Sequence, residues 1–316
     1  MTRPSRRLSL GLLFALAVCC ALTGGCPRRA RVEKPRVAVS IFPLYDVARR
    51  VAGERLDVVL VLPPGRSEHS FDPTPREMAR VADARLGLAV GLEMDSWLER
   101  LVRGAAGSHV TLVQVGPRVG PRAMHSEEIG EEAADEARDG GEEEHHHGPT
   151  DPHFWLDPLK MQSAVDVMVE SFSALDPVGA NGFRVRGDAL KRALGELHTR
   201  VEQRSRTWTH RTMVTFHGSM GYYAERYGLT IAAVIEPFPG REPTARYVTE
   251  VLAAIRTTGT VALFSEPQLE RRPAEVIAEQ AHVRLFELDP IGGTSGRDTY
   301  EKLIEYNTDV IDRALR

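Results

Sequence analysis

Short apolar runs alternate with segments of helical periodicity along most of the chain. The apolar runs predict buried strands at 36–42, 57–63, 86–91, 110–116, 212–218, 229–237, 261–267 and 283–290. The periodic segments predict helices at 43–53, 75–84, 96–102, 158–177, 181–206, 244–259, 273–282 and 299–315. This alternation is typical of an α/β fold with parallel sheets.

The strands fall into two groups, separated by a polar segment and a long helix. Residues 117–150 are rich in Gly, Glu, Asp, Ala and His, which predicts a disordered surface loop. The helix predicted over 181–206 would be about 39 Å long, enough to carry the chain from one domain to another. We therefore expect an N-terminal α/β lobe over 36–177, a linking helix within 178–208 and a C-terminal α/β lobe over 209–316.

The N-terminal segment has the features of an export signal. Three arginines precede an apolar run over 8–22 that is too short to cross a bilayer as a helix. The next residues, LTGGC, are similar to the cleavage box of bacterial lipoproteins, although Leu22 lies one position further from Cys26 than usual. We expect a signal peptide over 1–25, a tether over 26–35 anchored in the bilayer by lipid on Cys26, and a location in the periplasm or at the cell surface. Ordinary secretion is the alternative.

Composition narrows the possible chemistry. The chain has 316 residues, is 42% hydrophobic and 27% charged, and carries a formal charge of −4. These values are typical of a globular protein and give no reason to expect a nucleic-acid partner. The three cysteines are Cys19, Cys20 and Cys26, so signal cleavage and lipidation would leave no free thiol. A metal site in the mature chain must therefore use histidine and carboxylate.

Three histidines and an aspartate lie where parallel sheets collect ligands. His69 follows the second strand, His217 ends the fifth and Asp289 ends the last, and ligands bind beyond the carboxyl ends of such strands. His153, in the motif DPHFWLDP, precedes a helix. Three imidazoles and one carboxylate match the tetrahedral coordination of Zn²⁺. We predict that the four side chains meet in the cleft between the lobes.

The motifs around these residues resemble those of the metal-binding lipoproteins of zinc and manganese ABC importers, the ZnuA-like (cluster A-I) solute-binding proteins. The motifs are PGRSEHSFDPTP, DPHFWLDP, VTFHGSMGYYAERYGL, EPTARYV, LFSEPQ and LDPIGG. The resemblance runs from about Arg36 to the C terminus. It implies a binding protein without catalytic activity, here expected to be a monomer, that captures Zn²⁺ and delivers it to the transmembrane permease of an ABC transporter. It also implies metal ligands at His69, His153, His217 and Asp289.

Several alternatives remain open from the sequence. Glu68 is an alternative fourth ligand, because some zinc-type relatives place an acidic residue there, and water is another. Glu266 and Glu242 are expected either to support the ligands or to form caps and salt bridges. Manganese-type members usually carry Glu where this chain has His217, and a third imidazole favours zinc. A manganese- or iron-binding protein, an adhesin-type surface lipoprotein and a zinc hydrolase are the competing functions.

The acidic segment contains a second kind of histidine. His125, His145, His146 and His147 lie among glutamates and glycines. We expect them to bind Zn²⁺ weakly and reversibly, which would raise the local metal concentration. A solvated acidic loop with incidental metal affinity is the alternative.

Overall fold

Two four-stranded parallel sheets form the framework. The computed structural model describes residues 34–106, 109–129 and 150–316. The first sheet contains β1 (Arg36–Val39), β2 (Asp57–Leu60), β3 (Ala84–Ala89) and β4 (Thr111–Gln114), in the order β2-β1-β3-β4. The second contains β5 (Thr212–Thr215), β6 (Thr230–Val234), β7 (Ala262–Ser265) and β8 (Arg284–Glu287), in the order β6-β5-β7-β8. All strand pairs are parallel, so the predicted α/β class is confirmed.

Helices connect the strands in both sheets. They are α1 (Phe42–Ala52), α2 (Pro75–Val81), α3 (Ser96–Ala106), α4 (Ser126–Ile129), α5 (Pro158–Leu175), α6 (Ala180–Ser205), α7 (Gly221–Tyr227), α8 (Ala245–Thr258), α9 (Arg272–Ala281) and α10 (Tyr300–Leu315). Side-chain caps fix several of their first turns. The Asp157 carboxylate accepts the Leu159 backbone N–H, and the Thr299 hydroxyl accepts that of Lys302. None of the helices in the described ranges combines the length and the apolar character that a membrane crossing needs.

The long helix α6 packs its apolar face against α5. The buried residues of α6 recur every three or four positions and are Phe183, Gly187, Leu190, Leu194, Leu197, Val201 and Ser205, the period of one helix face. A Cβ at Gly187 would lie 2.6 Å from Val169 Cγ2 and 3.3 Å from Val165 Cγ1 of α5. Glycine inside this helix therefore allows close packing of the pair, at the small cost in helix propensity that glycine carries.

Residues 35–316 form one compact unit that contains both sheets. The C-terminal helix α10 follows the second sheet and packs against α1 and α6. The backbone N–H of Tyr300 donates to the buried carboxylate of Asp46 at 3.0 Å, and Arg50 pairs with Glu301 at 2.8 Å. These contacts connect the second lobe to the first helix of the first lobe. The predicted domain boundaries at 177 and 208 stay a prediction.

Both sheets have the same strand order. In each sheet the chain adds its second strand on one side of the first strand and its third strand on the other side, which creates a topological switch point between the first and third strands. In the second sheet that switch point lies between β5 and β7, so the residues that follow these strands, His217 and Glu266, lie side by side. Ligand sites of open α/β sheets form at this position. The fold therefore explains why a carboxylate lies next to a predicted histidine ligand.

The polar segment differs from its prediction at its N-terminal end. The disordered loop was expected over 117–150, but 117–129 contains the end of a 3-10 turn and helix α4, and Ala123 forms an antiparallel bridge with Thr150. Residues 130–149 lie outside the described residues. So do the predicted signal peptide, Cys26 and three of the loop histidines, His145 to His147.

Candidate metal centre

Glu68 and His69 lie in the loop between β2 and α2. Trp97 of α3 donates its indole N–H to the Glu68 carbonyl oxygen at 3.2 Å, and Phe71 packs edge-on against the Trp97 ring. These contacts hold the loop to the first lobe. The His69 side chain is 24% exposed, compared with 2% for His153 and 4% for His217. His69 is therefore the most accessible of the three predicted imidazole ligands.

His153 precedes a single 3-10 turn and is oriented by Asp151. One oxygen of Asp151, Oδ1, lies 2.9 Å from both the backbone nitrogen and the ring Nδ1 of His153, and both residues are buried. Trp155 packs beside the His153 ring and donates its indole N–H to the Pro290 carbonyl at 2.7 Å. The Tyr300 hydroxyl donates to the Trp155 carbonyl at 2.6 Å. The turn that presents His153 is thus fixed to the second lobe.

His217 lies two residues after β5 and is oriented by Glu266. The ring Nδ1 of His217 lies 2.9 Å from Glu266 Oε1. The Ser219 hydroxyl donates to the same oxygen at 3.1 Å, and the Thr215 hydroxyl donates to the His217 carbonyl at 2.8 Å. Glu266 therefore supports a predicted ligand, one of the two roles expected for it. Glu242, in contrast, is exposed.

The three rings converge through their Nε2 atoms. His217 Nε2 lies 3.3 Å from His69 Nε2 and 3.3 Å from His153 Nε2. One ligand atom from each ring and one carboxylate oxygen of Glu68 all lie within 4.8 Å of one another. A tetrahedral ion with Zn–N bonds of about 2.0–2.1 Å holds its ligand nitrogens about 3.3–3.4 Å apart. The spacing of the rings therefore fits a zinc ion bound at their centre.

The orientation of the rings favours a cation over hydrogen bonds between them. In His153 the Nδ1 atom contacts the Asp151 carboxylate, which places the ring proton on Nδ1 and leaves a lone pair on Nε2. In His217 the Nδ1 atom lies 2.9 Å from Glu266 without hydrogen-bond geometry, and the nearby negative charge favours the same tautomer. Two Nε2 lone pairs that face each other at 3.3 Å repel unless a cation lies between them. The carboxylates of Asp151 and Glu266 thus prepare both rings to bind a metal.

Burial and charge shift the protonation of the site. Burial raises the pKa of the Glu68 carboxyl. Burial and the neighbouring imidazoles lower the pKa of His69 well below its ordinary value of 6.5. For His217, burial opposes protonation, but Glu266 and other nearby carboxylates outweigh burial and raise its pKa. The electrostatic field at His217 therefore favours a cation, whether a proton or a metal ion.

Asp289 is buried just after β8, and its Oδ1 accepts hydrogen bonds, whereas its Oδ2 faces a guanidinium without making a hydrogen bond to any described residue. Oδ1 accepts hydrogen bonds from the Gln268 side chain at 2.7 Å and from the backbone N–H groups of Ile291 and Gly292. Oδ2 lies 3.1 Å from Nη1 of Arg297. Binding a metal through Asp289 would separate this ion pair or bring the guanidinium close to the metal cation.

This geometry favours Glu68, the alternative fourth ligand, over Asp289. Asp289 does not belong to the group of ligand atoms that lie within 4.8 Å of one another among the described residues. Glu68 does, and its Oε1 lies 3.7 Å from His69 Nε2. Within the described part of the chain, Glu68 Oε1 and Asp289 Oδ2 are both buried without a hydrogen-bond partner, but Oδ2 lies 3.1 Å from a guanidinium and Oε1 lies beside the His69 ring. A bound cation would satisfy Glu68 Oε1.

Asp151 and Arg122 are two further site residues, and neither was identified from the sequence. Asp151 holds the His153 ring, and Arg122 Nη1 lies 2.7 Å from Asp151 Oδ2. A carboxylate two positions before a histidine is a short-range signal that could have indicated Asp151. The contact with Arg122 spans 29 residues and has no such signal. His125, the described member of the loop histidines, is exposed and donates its backbone N–H to Glu128.

Known proteins share this architecture. The chain matches the family described as zinc-uptake complex component A, periplasmic, over residues 37–314. It is 23% identical over 267 residues to the zinc-binding protein AdcA of Streptococcus pyogenes serotype M3, covering 84% of this chain and 52% of AdcA. It is 26% identical over 289 residues to the manganese-binding lipoprotein MntA of Halalkalibacterium halodurans, covering 90% of this chain and 89% of MntA. A crystal structure of ZnuA superposes with a TM-score of 0.76 at 21% identity, over 90% of this chain and 100% of that one.

The two-lobe fold and the histidine-rich cleft define a metal-binding solute-binding protein. Because the family match extends over almost the whole described chain, the protein belongs to the zinc-uptake complex component A family and is ZnuA-like. The chain spans about half the length of AdcA.

The choice between Glu68 and Asp289 can be tested with two amide substitutions of similar shape. Glu68→Gln removes the buried charge that faces His69. Loss of an outer hydrogen-bond partner of a metal ligand typically lowers affinity by about 10–100-fold, and we expect loss of a ligand charge to lower zinc affinity by at least that much. Asp289→Asn keeps an oxygen for the three donors at Oδ1, so we expect affinity within about threefold of the unchanged protein. Competition titration with a chromophoric chelator measures both values. The reverse ranking would restore Asp289 as the fourth ligand.

Proposed function

We propose that this protein captures Zn²⁺ outside the cytoplasm and delivers it to the permease of an ABC importer. The observation that carries the proposal is the position of His217 Nε2, 3.3 Å from the Nε2 atoms of both His69 and His153, which fits tetrahedral zinc. The ion is cargo, so the protein itself performs no chemical step. Its residues bind the ion, keep the imidazoles in the tautomer that coordinates and exclude most of the surrounding water.

Zinc is the cargo that the donor set supports best. Three imidazoles are borderline ligands that suit Zn²⁺, which also accepts a carboxylate as its fourth ligand, whereas Mn²⁺ is usually bound by carboxylate, carbonyl and water oxygens. Manganese or iron is the second candidate, because the manganese-binding MntA is as similar in sequence as AdcA. Because Asp289 pairs with Arg297, Glu68 is the single carboxylate in the ligand group among the described residues, and Mn²⁺ is usually bound by more oxygen donors than this.

A zinc hydrolase and an adhesin are the two functions from other classes that compete with zinc capture. A zinc hydrolase needs an open coordination position and a base aimed at the bound water, whereas four protein ligands would fill a tetrahedral zinc here. An adhesin is compatible with the lipid anchor that we propose at Cys26. Loss of zinc uptake on gene deletion supports transport, and normal uptake with loss of surface attachment supports adhesion.

Elemental analysis tests the cargo directly. We expect the purified mature protein to contain one tightly bound zinc ion, and competition titration to give a higher affinity for Zn²⁺ than for Mn²⁺. Replacing His69, His153 or His217 by alanine removes a ligand, and we expect each change to lower zinc affinity by more than about 100-fold, above the usual effect of losing an outer hydrogen-bond partner. The matched control is His210→Ala, because His210 is exposed and outside the ligand group.

A preference for Mn²⁺, or alanine variants with unchanged zinc affinity, would contradict the proposed cargo. Thermal unfolding of the metal-free variants separates a loss of ligands from a loss of fold, because a variant that still unfolds cooperatively but binds zinc weakly has kept its fold.

The loop histidines can be tested by a deletion limited to 130–149, with a short Gly-Ser linker in its place. We retain 120–129 because Ala123 pairs with Thr150 and α4 packs on β6. We expect the tight zinc site to keep its affinity, while weak additional zinc binding, measured by isothermal titration calorimetry, decreases. A large loss of affinity at the tight site would show that the loop takes part in it.

Release of the ion is predicted to depend on the permease. Two of the predicted imidazole ligands are buried, and both lobes are fixed to each other beside them, so spontaneous release should be slow. We expect the zinc off-rate, measured with an excess of chelator, to rise when the permease is added in nanodiscs. Equal off-rates with and without the permease would refute release by separation of the lobes.

A further inference from the structure

Arg122 lies largely buried beside the metal centre and contacts three carboxylates. Its Nη1 lies 2.7 Å from Asp151 Oδ2, its Nη2 2.9 Å from Glu128 Oε1 and its Nε 3.0 Å from Glu225 Oε2. Asp151 is 0% exposed and Glu128 is 5% exposed. Two buried carboxylates this close to each other need a cation between them, and a planar guanidinium supplies donors in several directions at once.

One side of this cluster leads to His153. Asp151 uses Oδ2 for Arg122 and Oδ1 for both the backbone nitrogen and the ring Nδ1 of His153. The backbone N–H of Asp151 also donates to the Arg122 carbonyl at 2.9 Å. The position of Arg122 therefore determines where the carboxylate that orients His153 lies.

The other side leads to His217 in the second lobe. Glu225 and Tyr222 belong to α7, which begins four residues after His217. The Arg122 backbone N–H donates to the Tyr222 hydroxyl at 3.0 Å, and that hydroxyl donates to the Asp151 carbonyl at 3.3 Å. The guanidinium lies 5.6 Å from the centre of the Tyr222 ring. Arg122 thus contacts α7, which follows His217, and also contacts Asp151, which orients His153.

Two glycines in the turn after His217 make room for this contact. A Cβ at Gly221 would lie 2.0 Å from Arg122 Nη1 and 2.7 Å from Asp151 Oδ2. A Cβ at Gly218 would lie 2.3 Å from Met124 Cε. The segment around Arg122 can therefore approach this turn only because both positions lack a side chain.

We propose that Arg122 is a positioning residue of the metal centre, which sets the His153 ring relative to His217 by joining Asp151 to α7. This inference rests on the proposed zinc binding. Coordination tolerates errors of only about 0.2 Å in ligand distance, and these two ligands come from segments 64 residues apart in sequence. A tie between the two segments, outside the ligands themselves, keeps their Nε2 atoms at the separation that the ion requires.

Arg122→Gln tests the proposal in the full mature protein. We expect zinc affinity to fall by about 10–100-fold, the effect of losing an outer hydrogen-bond partner of a metal ligand. The matched control is Arg118→Gln, because Arg118 lies on the same segment but pairs with Glu170 on the surface. We expect this control to bind zinc as the unchanged protein does. Arg122→Lys keeps the charge but not the three-way geometry, so its affinity should be intermediate.

Two further readouts distinguish positioning from general stabilisation. In the Co²⁺-loaded protein, the visible absorption of the ion reports coordination geometry, and we expect Arg122→Lys and Arg122→Gln to alter it while Arg118→Gln does not. In an Asp151→Asn background, Arg122→Gln should lower zinc affinity by less than about threefold, because residues in one network have non-additive effects.

The outcomes separate the two levels of the proposal. If the unchanged protein binds no zinc, the proposed function fails. If it binds zinc and both Arg122 variants show its affinity and its cobalt spectrum, the positioning role is wrong. It is also wrong if the effects of Arg122→Gln and Asp151→Asn on affinity are additive. If Arg122→Gln does not fold, as judged by circular dichroism, the comparison of Arg122→Lys with Arg118→Gln decides.

Discussion

The metal centre depends on two imidazoles whose Nδ1 atoms face buried carboxylates. Asp151 holds His153 and Glu266 holds His217, so both rings direct an Nε2 lone pair at the same point, 3.3 Å from each other. This arrangement is unfavourable without a cation between the rings, and a buried carboxylate is itself costly unless it is paired. Both carboxylates have such partners, because the Ser219 hydroxyl donates to Glu266 and the Arg122 guanidinium pairs with Asp151.

Keeping the two rings together requires that the lobes do not move freely. Trp155 reaches the Pro290 carbonyl, and Tyr300 reaches both the Trp155 carbonyl and the carboxylate of Asp46. These buried hydrogen bonds cross between the lobes beside His153, and α10 adds an apolar contact with α1 and α6. A wide opening of the cleft would break several of them at once. Packing between the lobes therefore holds the His153 turn close to His217.

The sequence was sufficient for the fold and for the meeting of His69, His153 and His217, because strand periodicity and strand ends are local signals. Their role as metal ligands, and the identity of the fourth ligand, stay predictions. Asp289 lies at a strand end as predicted, but its pairing with Arg297, eight residues later, depends on how the following loop turns back. The extent of the disordered loop was overestimated for a similar reason. Its acidic composition continues across 117–129, but that segment is held by contacts with the second lobe, which composition does not reveal.

Overall similarity does not separate zinc-binding from manganese-binding relatives, since AdcA and MntA are 23% and 26% identical to this chain. The difference has to come from a few donor atoms. Here Asp289 faces the guanidinium of Arg297. Glu68 is the carboxylate that lies next to the three imidazoles. One carboxylate with three nitrogen donors suits a small tetrahedral cation, whereas a larger oxygen-rich shell would need Asp289 to exchange Arg297 for the metal. In the zinc complex that we propose, Arg297 would thus keep Asp289 apart from the ligand group without contacting the ion itself.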